Sequence, residues 1–306
     1  MTHVTHLSNR TSSGGAARSA SRIHETMLRF GIDSALVAVE NESNGQRVFA
    51  TRPSRSLLRR VFRSVLRNLY GSADRIDLRP NAPCGFFTSD RSFRRSECIG
   101  DLRDPQVVHL HWVAEMFDES GFLPALSRKI PVVWTMRDMR PITGGCHYDL
   151  GCGRFRDGCG NCPQLASPGP RDVSHRIWQR RKQTFSRIAK PRLTFVAPSN
   201  WLAGEFQESP LCNRFPVHVI PNGVDTAVFF PDERDAVRTA IGIPRDAVVV
   251  LFNAFSLNNR LKGGDRLSAA MRILADKLES DSRKLANGKN LPGDRPRRVM
   301  LLAVGA

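Results

Sequence analysis

Hydrophobic and polar positions divide the chain into short apolar runs separated by amphipathic stretches. Residues before Gly14 are polar and read as a loop. From Gly14 on, GGAARSASRIHETMLRF places Ala17, Ala20, Ile23, Met27 and Phe30 at helical spacing. Gly31 stops that helix, and SALVAV over 34–39 reads as a strand. The clearest amphipathic helix is RSLLRRVFRSVLRNL over 55–69. Its leucines, valines and Phe62 form one face, and Arg55, Arg59, Arg60, Arg63 and Arg67 fill the other. Such a helix either packs its apolar stripe on its own domain or lies on an anionic bilayer. A polar, irregular stretch over 71–104 follows. Apolar strands are then expected at 107–112, 130–135, 193–197 and 217–220, with a helix starting after Ser199 around Trp201. The polar stretch 280–298 reads as a mobile insertion before a strand at 299–304.

Strands separated by helical patterns imply an α/β fold with a doubly wound parallel sheet. Ligands of such sheets bind at the carboxyl ends of strands, where His111, the 135–143 loop and Ser199 fall. Pro221-Asn222-Gly223 breaks the chain sharply and sets a boundary between a domain at 1–221 and a second, Rossmann-like start at 222–306. The second domain opens with a strand at 248–252 and a loop carrying Arg260, Lys262, Gly263 and Gly264, suited to phosphate. Gly14 and Gly15 sit at a loop-to-helix junction, which serves either close approach to an anion or a tight turn.

Length and charge narrow the partners. At 306 residues two domains are expected. No apolar run is long enough to span a membrane and no signal peptide opens the chain, which is read as cytoplasmic. A formal charge of +17 favours polyanionic partners: nucleic acid, an anionic membrane or phosphorylated small molecules. Cys146, Cys152, Cys159 and Cys162 crowd one glycine-rich segment beside His147. Four thiolates can hold a structural zinc, and Cys159-x2-Cys162 has common knuckle spacing. Unligated thiols and a redox or iron–sulfur role are the other readings.

Several segments together resemble a known family. VVHLHWV, PVVWTMRDMRPITGGCHYDLGCGRFRDGCGNCPQL, SHRIWQRRK, FVAPSNWLAGEFQESPL and VHVIPNGVDTAVFFP, following SSGGAARSASRIHETMLRFGIDSALV, are similar to the N-terminal half and hinge of GT-B glycosyltransferases of the GT4 type. The likeness is greatest to colanic-acid-type enzymes of bacterial polysaccharide biosynthesis. It implies transfer of a sugar from a nucleotide-diphosphate sugar, with retention, to a glycan or lipid-linked acceptor, and no cofactor required for catalysis. It assigns His111 and Asp138 to the reacting centre, and Gly14, Gly15, Arg260 and Lys262 to the donor diphosphate. Helix 55–69 would give peripheral contact with the inner face of the plasma membrane.

Two departures stand out. Relatives carry histidine in a T-x-H-D motif where this chain has Arg137, and a guanidinium cannot accept a hydrogen bond. The family's second domain also continues into an E-x7-E segment that binds donor, whereas this sequence stops at Ala306. The expectation is a C-terminally truncated enzyme with a looser second domain and weak turnover. Other readings are a non-catalytic acceptor- or membrane-binding subunit and a zinc-containing nucleic-acid-binding protein. The last lacks surface aromatics and a recognition helix, so nucleic acid is not expected as a partner.

Overall fold

The computed structural model describes residues 2–305 apart from 42–43, 52–73, 75, 81, 83–85, 93–101, 103, 255–259 and 287–297. The basic helix expected over 55–69 lies outside the described residues. The chain forms two compact units, Met1–Gly223 and Val224–Ala306.

The first unit is built on a parallel sheet of β1 (His3–Arg10), β2 (Asp33–Glu40), β3 (Val48–Ala50), β4 (Val107–Leu110), β5 (Val132–Thr135), β6 (Leu193–Ala197) and β7 (Val217–Val219). The spatial order is β3-β2-β1-β4-β5-β6-β7. The chain therefore reverses its direction of travel across the sheet at the β1–β4 seam. A crevice forms at such a seam, beyond the carboxyl ends of the two strands. Helices α1 (Gly15–Arg29), α2 (Glu119–Lys129), α3 (Val173–Ser186) and α4 (Asn200–Glu208) connect the strands. Three of them start on side-chain caps. Asp118 accepts from the Gly121 N–H, Asp172 from those of Ser174 and His175, and Ser199 from that of Leu202.

The core fills with apolar residues pointing off β4, β5 and β6. Trp134 stacks on Phe195 at 5.7 Å, and Phe185, Phe206 and Phe215 pack round Phe195. Full burial of each such side chain stabilises the fold by about 1.5–3 kcal/mol.

The largest correction to the sequence reading is β1. The residues before Gly14 are not a loop: His3–Arg10 forms a central strand, paired with β2 on one side and β4 on the other. Its polar residues Thr5, His6 and Ser8 are buried, and most of its polar groups are partnered. His3 Nδ1 lies 2.7 Å from Asp33, and the Thr5 hydroxyl donates to the Leu102 carbonyl. The short β3 also escaped the hydrophobic pattern.

The second unit contains α5 (Arg234–Ala240), β8 (Val248–Asn253), α6 (Gly264–Ala286) and β9 (Val299–Val304), with β8 and β9 paired in parallel. Here α6 runs seven residues, 280–286, into the stretch expected to be a mobile insertion. Leu278, Ser282 and Arg283 continue a helical register, and Arg283 reaches Glu279 one turn back. Among the described residues no helix is long and apolar enough to cross a membrane.

Candidate functional site

The carboxyl ends of β1, β4 and β5 carry most of the polar chemistry of the first unit. Helix α1 begins at Gly14, whose φ of +90° suits glycine. No side chain caps this end and no acid lies in its first turn. A β-carbon added at Gly14 or Gly15 would meet nothing within 4 Å, so no neighbour packs against the α-carbons of this helix start. An uncapped helix start at a sheet's switch point is suited to an anion.

Histidines line the β1–β4 seam. His6 and His109 are register partners on adjacent strands, and His111 lies two residues beyond His109. His6 and His111 are buried, and His109 is partly buried. Burial disfavours the imidazolium, so their pKa values fall far below the ordinary histidine range, that of His109 to about 3. Arg137 fixes their protons. Its Nη2 lies 2.9 Å from His111 Nδ1, and a guanidinium only donates, so Nδ1 accepts. His111 therefore carries its proton on Nε2 and donates to His6 Nδ1 at 3.0 Å. The remaining proton sits on His6 Nε2, which has no partner among the described residues. His109 Nε2 lies 2.7 Å from the Thr135 hydroxyl.

His111 is thus a buried link in a hydrogen-bonded chain, with both nitrogens engaged. Arg137 is itself half-buried, which lowers its pKa to about 10 and leaves it cationic at neutral pH. It also donates to Asn222 Oδ1 at 2.7 Å, which accepts from the Ser19 hydroxyl of α1 as well. The Pro-Asn-Gly turn is in this way tied to α1 and to the loop after β5.

Metal-binding potential can be judged from these protons. Among the described residues, the ligand atoms of His6, His109 and His111 lie within 4.8 Å of one another. Ligation through His111 Nε2 would move its proton to Nδ1, against an N–H of Arg137. Donor would face donor, and the guanidinium would repel the cation. The trio does not fit a cation while Arg137 is in place. An Arg137→Ala variant is expected to take up one Ni²⁺ or Zn²⁺ where the parent takes none through these residues. Calorimetry with His6→Gln as control would check this.

Asp138 follows Arg137 and faces a small pocket lined also by His111, Trp112, Trp134, Arg137, Arg140 and Pro141. Burial alone would raise its pKa. Hydrogen bonds from His147 and the Arg140 N–H, with the Arg140 charge, outweigh that and hold it below the usual carboxylate range. Sequence reasoning placed His147 only beside the cysteines. Here its Nδ1 lies 2.6 Å from Asp138 Oδ2.

A buried ionic cluster braces this loop. Arg181 on α3 donates to both Glu119 oxygens, at 2.9 and 3.2 Å, and to the carbonyls of Arg140 and Thr143. Arg140 meets the same Glu119 carboxylate at 2.6 Å. The Gly144-Gly145 turn is packed equally tightly. A β-carbon on Gly144 would lie 2.2 Å from the Ser174 carbonyl oxygen, a backbone atom at the start of α3. Gly144→Ala is therefore expected to destabilise the unit by about 1–3 kcal/mol or more, measured by chemical denaturation.

The four clustered cysteines are free, Cys146 and Cys162 buried, Cys152 and Cys159 half-buried. Burial raises the thiols of Cys146, Cys159 and Cys162, that of Cys159 to about 12, and neighbouring cysteines add to the shift. They are protonated at neutral pH and poor nucleophiles. Their sulfurs do not converge as closely as the histidine nitrogens do. Four-thiolate zinc would require the loop to draw in and the thiols to deprotonate. Stoichiometric zinc in protein purified without added metal would establish it; metal-free protein indifferent to chelators would remove it.

In the second unit, Arg260 and Lys262 bound a single 3₁₀ turn ahead of α6. Lys262 is exposed, and Gly263 has a φ of +78°.

The profile of Glycosyltransferase Family 4 matches residues 13–228, most of the chain. The chain belongs to glycosyltransferase family 4. One family relative, "Putative colanic acid biosynthesis glycosyl transferase WcaC" of Escherichia coli K12, is 24% identical over 297 residues, covering 90% of this chain and 67% of that protein. D-inositol 3-phosphate glycosyltransferase 1 of Catenulispora acidiphila is 43% identical over 65 residues, 21% of this chain and 14% of its own. Among solved structures, WaaG, a glycosyltransferase involved in lipopolysaccharide biosynthesis, aligns with 99% of this chain and 70% of its own, at 13% identity and a TM-score of 0.37. The family match spans the α1 start, His109 and His111 of the histidine seam, the Asp138 loop and the cysteine segment, which all lie within one unit.

Proposed function

We propose that this family 4 chain moves a sugar from a nucleotide-diphosphate sugar onto a polysaccharide or lipid-linked acceptor, with retention of configuration. The observation that carries the reading is the uncapped, acid-free start of α1 at Gly14, located at the β1–β4 seam. A leaving nucleotide diphosphate develops negative charge as the sugar becomes oxocarbenium-like. Fixed N–H groups and cations that meet this charge lower the barrier without reorganising. Gly14 and Gly15 supply N–H groups of that kind. Arg260 and Lys262 are assigned to the donor's phosphates, and Asp138 to the acceptor.

The test pairs binding with turnover. UDP or GDP at a hundredfold excess over its Kd is expected to stabilise the protein by about 2.7 kcal/mol. Lys262→Ala is expected to lower kcat about 10²-fold, as loss of one charge-stabilising group does. The reading fails if no nucleoside diphosphate stabilises the chain and no nucleotide sugar is turned over.

A further inference from the structure

Asp138 and His147 bracket the Gly144-Gly145 turn and belong to a chain of hydrogen bonds whose direction can be worked out. Arg140 Nε donates to the Thr88 hydroxyl oxygen at 2.6 Å. That leaves the hydroxyl proton of Thr88 free for His147 Nε2, 3.0 Å away. His147 then carries its proton on Nδ1 and donates to Asp138 Oδ2 at 2.6 Å. Every donor points the same way, from a guanidinium to a carboxylate. Aligned chains of this kind polarise and strengthen one another at low dielectric.

The carboxylate at the end of the chain has capacity left. Its Oδ2 receives His147 and the Trp112 indole N–H, the latter at 3.0 Å, and is filled. Among the described residues its Oδ1 receives only the Arg140 backbone N–H, at 2.9 Å. One lone pair on Oδ1 is unclaimed, on a side chain that lines the pocket. Arg137, which lines it too, keeps one N–H, that of Nε, without a partner among the described residues. An acceptor beside a donor matches a ligand that both gives and receives hydrogen bonds, which is the chemistry of a sugar hydroxyl. The backbone of His147 is also fixed: its carbonyl accepts from the Met139 N–H at 3.0 Å, and its N–H donates to the Phe86 carbonyl.

We infer that Asp138 and His147 form one recognition unit for a hydroxyl of a sugar acceptor, Asp138 accepting the hydrogen bond and His147 acting as its positioning residue. This rests on the glycosyl-transfer reading for its role but not for its measurement. The unit binds and orients; it transfers no proton, because a carboxylate held in this way is a weak base.

The experiment uses the full chain with ¹⁵N-labelled histidine, titrated with the methyl glycosides of glucose, galactose and mannose and with glycerol. His147 is expected to show a proton on Nδ1, and at least one glycoside to shift its ring resonances. Asp138→Asn should abolish the response. His147→Ala should weaken binding about 10²-fold, the scale of a misplaced group. His147→Asn, whose amide N–H can take the place of Nδ1, should restore most of it. That rescue separates positioning from a general loss of structure, which tryptophan fluorescence monitors in parallel. The inference is overturned if no glycoside moves the His147 ring, or if Asp138→Asn binds as the parent does. Donor turnover is scored on the same samples. Transfer with a silent His147 keeps the enzyme and removes this unit; a glycoside response without turnover keeps the unit and removes the transfer reading.

Discussion

Acidification from pH 7 to pH 4 is expected to unfold the first unit. His6, His109 and His111 are neutral in the fold and titrate normally once the chain is unfolded, so below pH 6.5 the unfolded state binds more protons. For a histidine whose pKa is depressed by folding, stability is fully present above the unfolded value. It is lost as pH falls from there toward the folded value, which for His109 is about 3. Each proton contributes about 1.4 kcal/mol per pH unit, and three together about 4. Two units of acidification then remove about 8 kcal/mol, comparable with the whole stability of a domain. Arg137 and His24, the other basic groups beside the trio, make protonation harder still. Tryptophan fluorescence reads this directly, because Trp112, Trp134, Trp178 and Trp201 all lie in the first unit. His109→Gln should flatten the slope by about one proton's worth. A stability unchanged between pH 7 and pH 5 would contradict the assignment.

The second large effect concerns Glu119. Its carboxylate, about 1% exposed, is shared by Arg140 and Arg181, themselves about 4% and 0% exposed at the side chain. Glu119→Gln keeps the shape but removes the carboxylate that both buried guanidinium groups touch, leaving them only the more distant Asp138 and Asp90 charges. Breaking a buried pair in this way costs about 3–5 kcal/mol. Because Arg181 also holds the carbonyls of Arg140 and Thr143, the loop bearing Asp138 should loosen as the unit weakens. Adding Arg181→Met to Glu119→Gln should return part of the loss, since an apolar residue needs no partner. Urea denaturation of the single and double variants settles it. A single variant as stable as the parent would show that the cluster is not what braces the loop.

Much of the architecture is legible in the sequence because parallel strands buried on both faces read as apolar runs. The strands β4, β5 and β6 and the capped start of α4 are found in that way. β1 is not, because Thr5, His6 and Ser8 look solvent-seeking when read alone. Their burial depends on partners far along the chain, such as His111 and Leu102. The Glu119–Arg181 pair, 62 positions apart, leaves no local trace for the same reason. His111 is legible as a polar strand end available to a ligand, but nothing local in the sequence shows that Arg137 occupies its Nδ1. His147 had a usable signal, since a carboxylate and an imidazole flank a double glycine in one short loop. The cysteines beside it drew the attention instead.

The position of β1 in the middle of its sheet carries a consequence for anyone trimming this protein. Translation initiated a dozen codons later would delete the strand that joins the β2–β3 edge to β4, β5, β6 and β7. Such a product would fall into two half-sheets, each with a raw, sticky margin of unpaired amides, and inclusion bodies would be its natural fate.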